Sequence, residues 1–300
     1  MKKAILILTG LLFCTEIVFS QGPNSRNRNL IFSVGSGTTH YYGDLAKDGD
    51  NSNISPNLAI GARYNFYRWF AAGAEVTWFM LHGNDNTDPG KEIRNLSFKS
   101  NNFEVSGTIH ISVFEEDKRF YMRPFANPYI YGGVGLVSYN PKASLDGTSY
   151  NLRKLNTSGV SYSGITASFP IGAGVKIRIN PFFNVVLDGG YRFVLTDYLD
   201  DVGSGIYPDP TSFGSNDVAR KLSDRTWETL PPGTPTWAEQ GKNFRGDPTD
   251  KDGYFIFNVK AEYYFSEIGN SFRTKRKIGG TNKLKVPKRR TNKQINRRRF

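Results

Sequence analysis

Eight short segments of this chain alternate apolar with polar or small residues at a period of two, and the connections between them run long, short, long, short, long, short, long. A period of two is the signature of an extended strand with two chemically different faces. The clearest case is residues 183–201. There Val185, Leu187, Gly189, Tyr191, Phe193 and Leu195 share one face, and Val186, Asp188, Gly190, Arg192, Val194 and Thr196 share the other. One such strand fits either a soluble sheet or a membrane barrel. The rhythm of the connections separates the two, because transmembrane barrels join their strands by short periplasmic turns and long outer loops.

The remaining segments repeat the pattern. Strands are expected at about 30–37, 57–66, 69–81, up to 114, 128–139, 169–179 and 254–265. Tyr67 and Arg68, residues 115–119 and Asn180-Pro181 form the short connections, and about 38–55, 82–96, 140–163 and 199–252 form the long polar ones. The predicted fold is all-β, an eight-stranded antiparallel transmembrane β-barrel with its long loops outside. Trp69, Trp78, Phe114, Tyr139, Tyr198 and Phe265 lie near strand ends, where interfacial aromatic girdles are expected.

A secreted soluble barrel is the competing reading, and it requires an apolar interior. The faces opposite the apolar ones carry Arg63, Glu75, Glu104, Lys176, Arg178, Asp188, Arg192, Lys260 and Glu262. These charges are expected to pair across a narrow lumen, since an unpaired buried charge costs several kcal/mol. Eight strands leave an interior that side chains fill, so no open pore is expected.

Residues 1–20 read as a secretory signal, with Lys2 and Lys3 ahead of an apolar run and small residues before Gln21. Cys14 suggests a lipoprotein box, but Phe13 stands where a small residue is expected. Cleavage after Ser20 would remove the only cysteine and with it any disulfide. The domain plan is thus signal 1–20, barrel 21–265 and basic tail 266–300. The full chain carries +12. The tail holds thirteen Lys or Arg against one acid, Glu267, and the signal adds one positive charge, which leaves the body at −1. The tail is expected to be disordered, to lie in the periplasm and to meet an acidic protein surface or anionic lipid. It is not expected to bind nucleic acid.

The chemical inventory is thin. His40 and His82 fall at outer strand ends. His110 shares the lumen face with Glu104, Ser106 and Ser112, but such coincidences arise on any alternating polar face and do not make a triad. There is no Gly-rich phosphate loop, metal-spaced cluster or cysteine pair, so neither a cofactor nor a small-molecule substrate is expected, and the chain reads as non-enzymatic. Arg245-Gly246-Asp247 reads as an ordinary loop turn. Asp200, Asp201, Asp250 and Asp252 read as a solvated rim that could approach a cation.

Several motifs, taken in order, resemble the PorG-like outer-membrane barrels of the type IX secretion system of Bacteroidota. They are Tyr42-Gly43-Asp44-Leu45, Arg94-Asn95-Leu96-Ser97-Phe98, Pro128-Tyr129, Gly132-Gly133-Val134-Gly135, Asn140-Pro141 and Gly172-Ala173-Gly174-Val175-Lys176. Further on come Tyr191-Arg192-Phe193 with Thr196-Asp197-Tyr198-Leu199-Asp200-Asp201-Val202, then Arg245-Gly246-Asp247 with Asp252-Gly253-Tyr254-Phe255. The resemblance spans about residues 30–265. It implies a structural component in the Gram-negative outer membrane that tethers a periplasmic ring, made of a lipoprotein and its partner, and it carries over no catalytic residue. Docking of that ring is expected through Tyr67, Arg68, Glu115, Glu116 and Asp117 at the short turns and Arg273, Lys275, Arg276 and Lys277 in the tail. The tail departs from the family pattern. The alternative is a paralogue that meets an external ligand or partner through its long loops, 199–252 above all.

Overall fold

A computed structural model describes residues 29–46, 53–87, 90–116, 123–203, 205–242, 245–247, 249 and 251–265. Ten strands are present among them. They are β1 (Leu30–Tyr42), β2 (Ile54–Asn65), β3 (Phe70–Asn84), β4 (Ser97–Ser112), β5 (Ala126–Ser138), β6 (Pro141–Leu145), β7 (Thr148–Asn151), β8 (Ile165–Arg178), β9 (Phe183–Val194) and β10 (Gly253–Tyr264). Eight of them, in the order β3-β2-β1-β10-β9-β8-β5-β4, pair antiparallel with their neighbours, and β3 pairs with β4 to close the ring. The closing ladder runs from Phe70 opposite Ile111 to Asn84 opposite Ser97. The remaining two, β6 and β7, form a hairpin attached to β4 beyond the end of β5. The signal segment and the basic tail lie outside the described residues, as do Asp117 and Asp250.

The period of two decides which way each side chain points. Val34, Ile60, Val76, Val105, Val134, Ile171, Phe193 and Val259 are exposed on the outer face. That continuous apolar exterior is what a bilayer covers and water would not. Inside, Arg63, Glu104, Lys176, Asp188, Arg192, Lys260 and Glu262 are buried. The apolar core lies elsewhere. Phe79, Leu81, Phe98, Val137, Val194, Tyr254 and Ile256, on the inward faces toward the long-loop end, cluster with Leu45, Leu145, Leu152, Leu199, Val202 and Leu222 from the loops.

This changes the reading of the long connections. Segment 140–163 holds the β6–β7 hairpin and a turn of helix, α1 (Leu152–Leu155), capped by the Asn151 side chain. Segment 199–252 holds a two-turn helix, α2 (Asp217–Ser223), with Asn216 accepting a hydrogen bond from the Ala219 amide at its N-cap. Their scattered leucines sink into the barrel mouth, so these segments form a folded cap rather than polar loops. The first strand also runs to Tyr42 and not Gly37, because β10 and β2 flank it on both sides and keep its polar Thr38, Thr39 and His40 in register. The link between β4 and β5 spans 113–125, two positions earlier than expected, since β4 stops at Ser112 and β5 starts at Ala126.

Candidate functional site

Two polar networks stand out, one in the lumen and one beneath the cap. In the lumen, Lys260 Nζ reaches Glu75 Oε2 at 2.6 Å and Asp188 Oδ2 at 3.0 Å, and Tyr129 donates its hydroxyl to the same Asp188 oxygen at 3.0 Å. Arg63 pairs with Glu262 at 3.0 Å. Arg192 Nε lies 3.8 Å from Glu104, which also accepts from Tyr254 and Ser168. Partners in each pair come from different strands, so the pairs tie the wall across the interior. Arg178 is half-buried near the short-turn end, in a small recess it shares with Lys176 and Arg123.

One lumen expectation needs correction. Glu116, expected on a docking surface, turns inward. Its carboxylate pairs with Lys176 and accepts hydrogen bonds from Ser112, Asn65 and Asn127. A buried Lys176 needs a counter-ion, and Glu116 is the carboxylate that reaches it. His110 and Glu104, which share the lumen face, have separate partners. His110 Nε2 meets Thr108 Oγ1 at 2.9 Å and its ring packs against Tyr129 and Tyr131, whereas Glu104 is engaged by Tyr254, Ser168 and Arg192.

The second network occupies the long-loop end and gathers the motifs. Arg245 is almost wholly buried. It donates from Nη1 to the Asp201 carbonyl at 2.7 Å, from Nη2 to Asp201 Oδ2 at 3.0 Å and from Nε to the Ser223 carbonyl at 3.3 Å. The reading of Arg245-Gly246-Asp247 as an ordinary turn is therefore overturned. Asp201, at φ 75°, also accepts from Thr157 and Tyr162, which draws segment 140–163 to the same point. Arg94 grips Asp85 with two nitrogens, at 2.7 and 2.5 Å, and donates to the Arg245 carbonyl at 2.6 Å and the Asp44 carbonyl at 2.9 Å. Asp44 in turn accepts from the Asp247 amide.

Beside this lies a carboxylate pair. The Tyr41 hydroxyl is 2.8 Å from Asp200 Oδ2 and 2.6 Å from Asp252 Oδ1, and all three residues are buried. One hydroxyl proton serves one acceptor, so the second close contact requires a proton on one of the carboxyls. The remaining oxygens accept from the Val202 and Leu199 amides. Burial raises Asp200 to about 7, with the Asp44 charge acting in the same direction, and burial raises Asp252 as well. Asp44 is pushed up by burial to about 6. These aspartates are thus not the solvated rim expected from the sequence. Among the described residues no cluster has the arrangement of a metal site.

The other motif residues are placed as follows. Tyr42 packs against Tyr191 on the outer face, and Tyr191 against Phe193. Leu45 and Leu199 enter the apolar core. Tyr198 stacks on Tyr162, and Tyr162 on Tyr139. Tyr139, expected in an aromatic girdle, is buried in that stack. Asp197 lies half-buried next to the carboxylate pair. Gly43 admits no side chain, because a Cβ there would come within 2.2 Å of the Tyr41 hydroxyl and 2.1 Å of Asp252 Oδ1. At the opposite end Tyr67 is exposed and Arg68 faces Glu115 at 3.7 Å on the surface. Asp117 and the tail residues Arg273, Lys275, Arg276 and Lys277 lie outside the described residues. Sequence reading did not single out Arg94, Asp85, Thr157 or Tyr162 as site residues; the available signal was a lone arginine in a motif beside a strand start.

Comparison with known protein families agrees with this architecture. Residues 12–216 match the outer membrane protein beta-barrel domain family. No curated protein matches the chain in sequence. Among solved structures, Neisserial surface protein A is 9% identical, covering 79% of this chain and 97% of its own, at a TM-score of 0.40. The Ail protein of Yersinia pestis, in complex with the heparin analogue sucrose octasulfate, is 12% identical over 79% and 98%, at 0.37. OprG of Pseudomonas aeruginosa is 10% identical over 81% and 99%, also at 0.37. With a closed eight-strand ring, an apolar exterior and a family match over most of its length, the chain belongs to the outer membrane protein β-barrel domain family and resides in the outer membrane.

Proposed function

We propose that this barrel is a non-enzymatic component of a type IX secretion system, tethering a periplasmic ring complex to the outer membrane. The carrying observation is the convergence of the motif residues Asp44, Asp200, Asp201, Arg245, Asp247 and Asp252 on one buried hub, which the adjoining Tyr41 completes and which holds the cap closed. Residues that hold a fold are what a family of structural barrels would share, and the PorG-like resemblance rests on those same residues. A lumen crossed by ion pairs supports an anchor over a conduit. The ring would meet the short-turn end, where Tyr67, Arg68 and Glu115 are accessible, together with the basic tail. Co-purification from outer membranes in mild detergent, with and without residues 271–300, followed by crosslinking mass spectrometry, tests this. Crosslinks from residues 67–68, 115 or the tail to ring proteins support it. Recovery of the barrel alone, or crosslinks only through the cap, overturns it.

One observation favours a second reading, recognition of an external ligand by the cap. Segment 199–252 carries an outward cleft of about 210 Å³ lined by Pro208, Phe213, Arg220, Lys221, Trp227 and Glu239. The half-open Trp227 ring beneath Lys221 offers a stacking face beside charge. Loss of an extracellular binding activity in Trp227→Ala, with ring co-purification intact, would select this reading.

A further inference from the structure

The outward cleft of about 210 Å³ in segment 199–252 is held in shape by its own wall. Asp224 is buried in that wall. Its Oδ1 accepts from the Thr226 amide and hydroxyl at 2.9 and 2.7 Å, and its Oδ2 accepts from the Ala238 amide at 2.7 Å. Glu239 Oε2 accepts from the Thr236 amide at 2.8 Å. These bonds tie residues 224–226 to 236–239. The Trp227 ring is 40% exposed, yet its Nε1 already donates to the Lys221 carbonyl at 3.2 Å. With its one donor engaged, the indole offers only its π surface. Pro208, Pro210 and Phe213 add apolar surface. A site fixed in this way loses little conformational freedom when it is filled.

Charge and shape select the occupant. Arg220 and Lys221 bring two positive charges to the lining, and Asp224 and Glu239 bring two negative ones, so the cleft favours an ion of neither sign. Arg220 and Lys221 are also engaged by Asp217, at 2.5 and 2.9 Å. A wholly apolar ligand would use the Trp227 surface but strip water from the charged groups without replacing it. The ligand that fits is uncharged. It has one apolar face to lie on the indole and a rim of groups that donate and accept, which answers Glu239 as well as the two cations. A pyranose ring has that constitution, because its C–H face is apolar and each hydroxyl does both. The cleft is smaller than the about 300–1,000 Å³ of sites for drug-sized molecules, which suits a single ring of a longer glycan.

Resting on the reading of the cap as a recognition surface, we propose that this cleft binds a neutral extracellular saccharide, one ring of which stacks on Trp227 while its hydroxyls meet Arg220, Lys221 and Glu239. Lys221 Nζ stands 5.6 Å from the centre of the Trp227 ring. That contact is loose, and a sugar ring can displace it while Lys221 keeps its pairing with Asp217. Recognition through hydroxyls and C–H groups needs no net charge, so the affinity is insensitive to salt, unlike that of an anionic ligand held by the same two cations. The site lies on the cap and makes no demand on what docks at the short-turn end.

The test uses the full barrel in a zwitterionic detergent that contains no sugar. It is applied to an array of neutral and anionic glycans and, in parallel, to a peptide array, and hits are titrated by calorimetry at low and high salt. Binding of at least one neutral glycan, unchanged by salt, is the expected result. Trp227→Ala should weaken it by about tenfold or more, and Trp227→Phe, which keeps a stacking ring, by much less. Heat-modifiable gel migration and protease resistance within 205–242 check that both variants fold. Hits confined to anionic glycans or to peptides, and lost in Trp227→Ala, would overturn the saccharide and leave the cap as a recognition surface. Neutral hits that survive Trp227→Ala would remove the site from this cleft. Silence on both arrays would overturn the saccharide and the recognition reading together.

Discussion

Arg245 Nη2 lies 3.0 Å from Asp201 Oδ2, and both side chains are about 1% exposed, although 44 positions separate them in the chain. This pair joins the start of the longest connection to its end. Removing one partner of a buried ion pair leaves an uncompensated charge and costs about 3–5 kcal/mol. Arg245→Ala should therefore release the cap while the strand ladders, which it does not touch, hold the barrel. Limited trypsin digestion should cut the variant within 205–242 and spare the wild type, with heat-modifiable migration unchanged in both.

The Tyr41 bridge to Asp200 and Asp252 gives the cap a pH dependence. Asp200 has its carboxyl raised to about 7 by burial, so the closed cap binds a proton that an opened, hydrated Asp200 releases near its ordinary value of about 4. Between those values the closed state holds more protons than the open one. Cap stability then falls as pH rises, by up to about 1.4 kcal/mol per unit, and levels off above about 7. Amide hydrogen exchange over 195–203, corrected for the intrinsic rate, should show greater protection at pH 5 than at pH 8. Asp200→Asn, which needs no shared proton, should flatten that difference.

Glu116 and Lys176 form the inner closure of the lumen. Glu116→Gln or Lys176→Met alone should lower stability by about 3–5 kcal/mol, and the double change by less than the two together. Urea unfolding in detergent, followed by tryptophan fluorescence, measures the coupling. Additive losses would mean that the pair is not a unit.

Gly43 packs directly on the Tyr41–Asp252 contact. Gly43→Ala should displace that contact and reproduce the protease sensitivity of Arg245→Ala. Gly90, whose Cβ would meet nothing within 4 Å but whose φ is +103°, separates steric from backbone causes: Gly90→Ala should leave the cap protected.

The crossed ion pairs of the lumen predict electrical silence. Purified barrel in planar bilayers should show no steady conductance. Neutralising Glu104 and Lys260 together should loosen the interior before it opens a current, read as a lowered unfolding midpoint.

Much of this was legible in the residues. Strand faces such as Val185 to Leu195 against Val186 to Val194 follow from alternation, because successive side chains leave a strand on opposite sides and a bilayer tolerates charge on only one of them. The lumen set from Arg63 to Glu262 follows from the same rule. Tyr139 and Glu116 escaped it, since one sits just past β5 and the other four residues beyond β4, where alternation no longer tells inside from outside. The cap escaped it more fully. Leu152, Leu199 and Leu222 are scattered among polar residues with no periodicity, and nothing local marks Arg245 as buried while Arg220 is exposed.

The amino-acid order alone thus determined the eight strands of the ring, the facing of those that alternate clearly, the closed ring and its membrane address; it did not show the β6–β7 hairpin. Each is set by a local period or by the length of a connection. Only the tertiary structure decided that the long connections fold into a cap, that Arg94 and Arg245 are its hubs, and that Tyr41 shares a proton between Asp200 and Asp252. Those facts depend on which distant segments meet once the ring has closed, and contacts across 44 to 211 positions leave no periodic trace in the sequence.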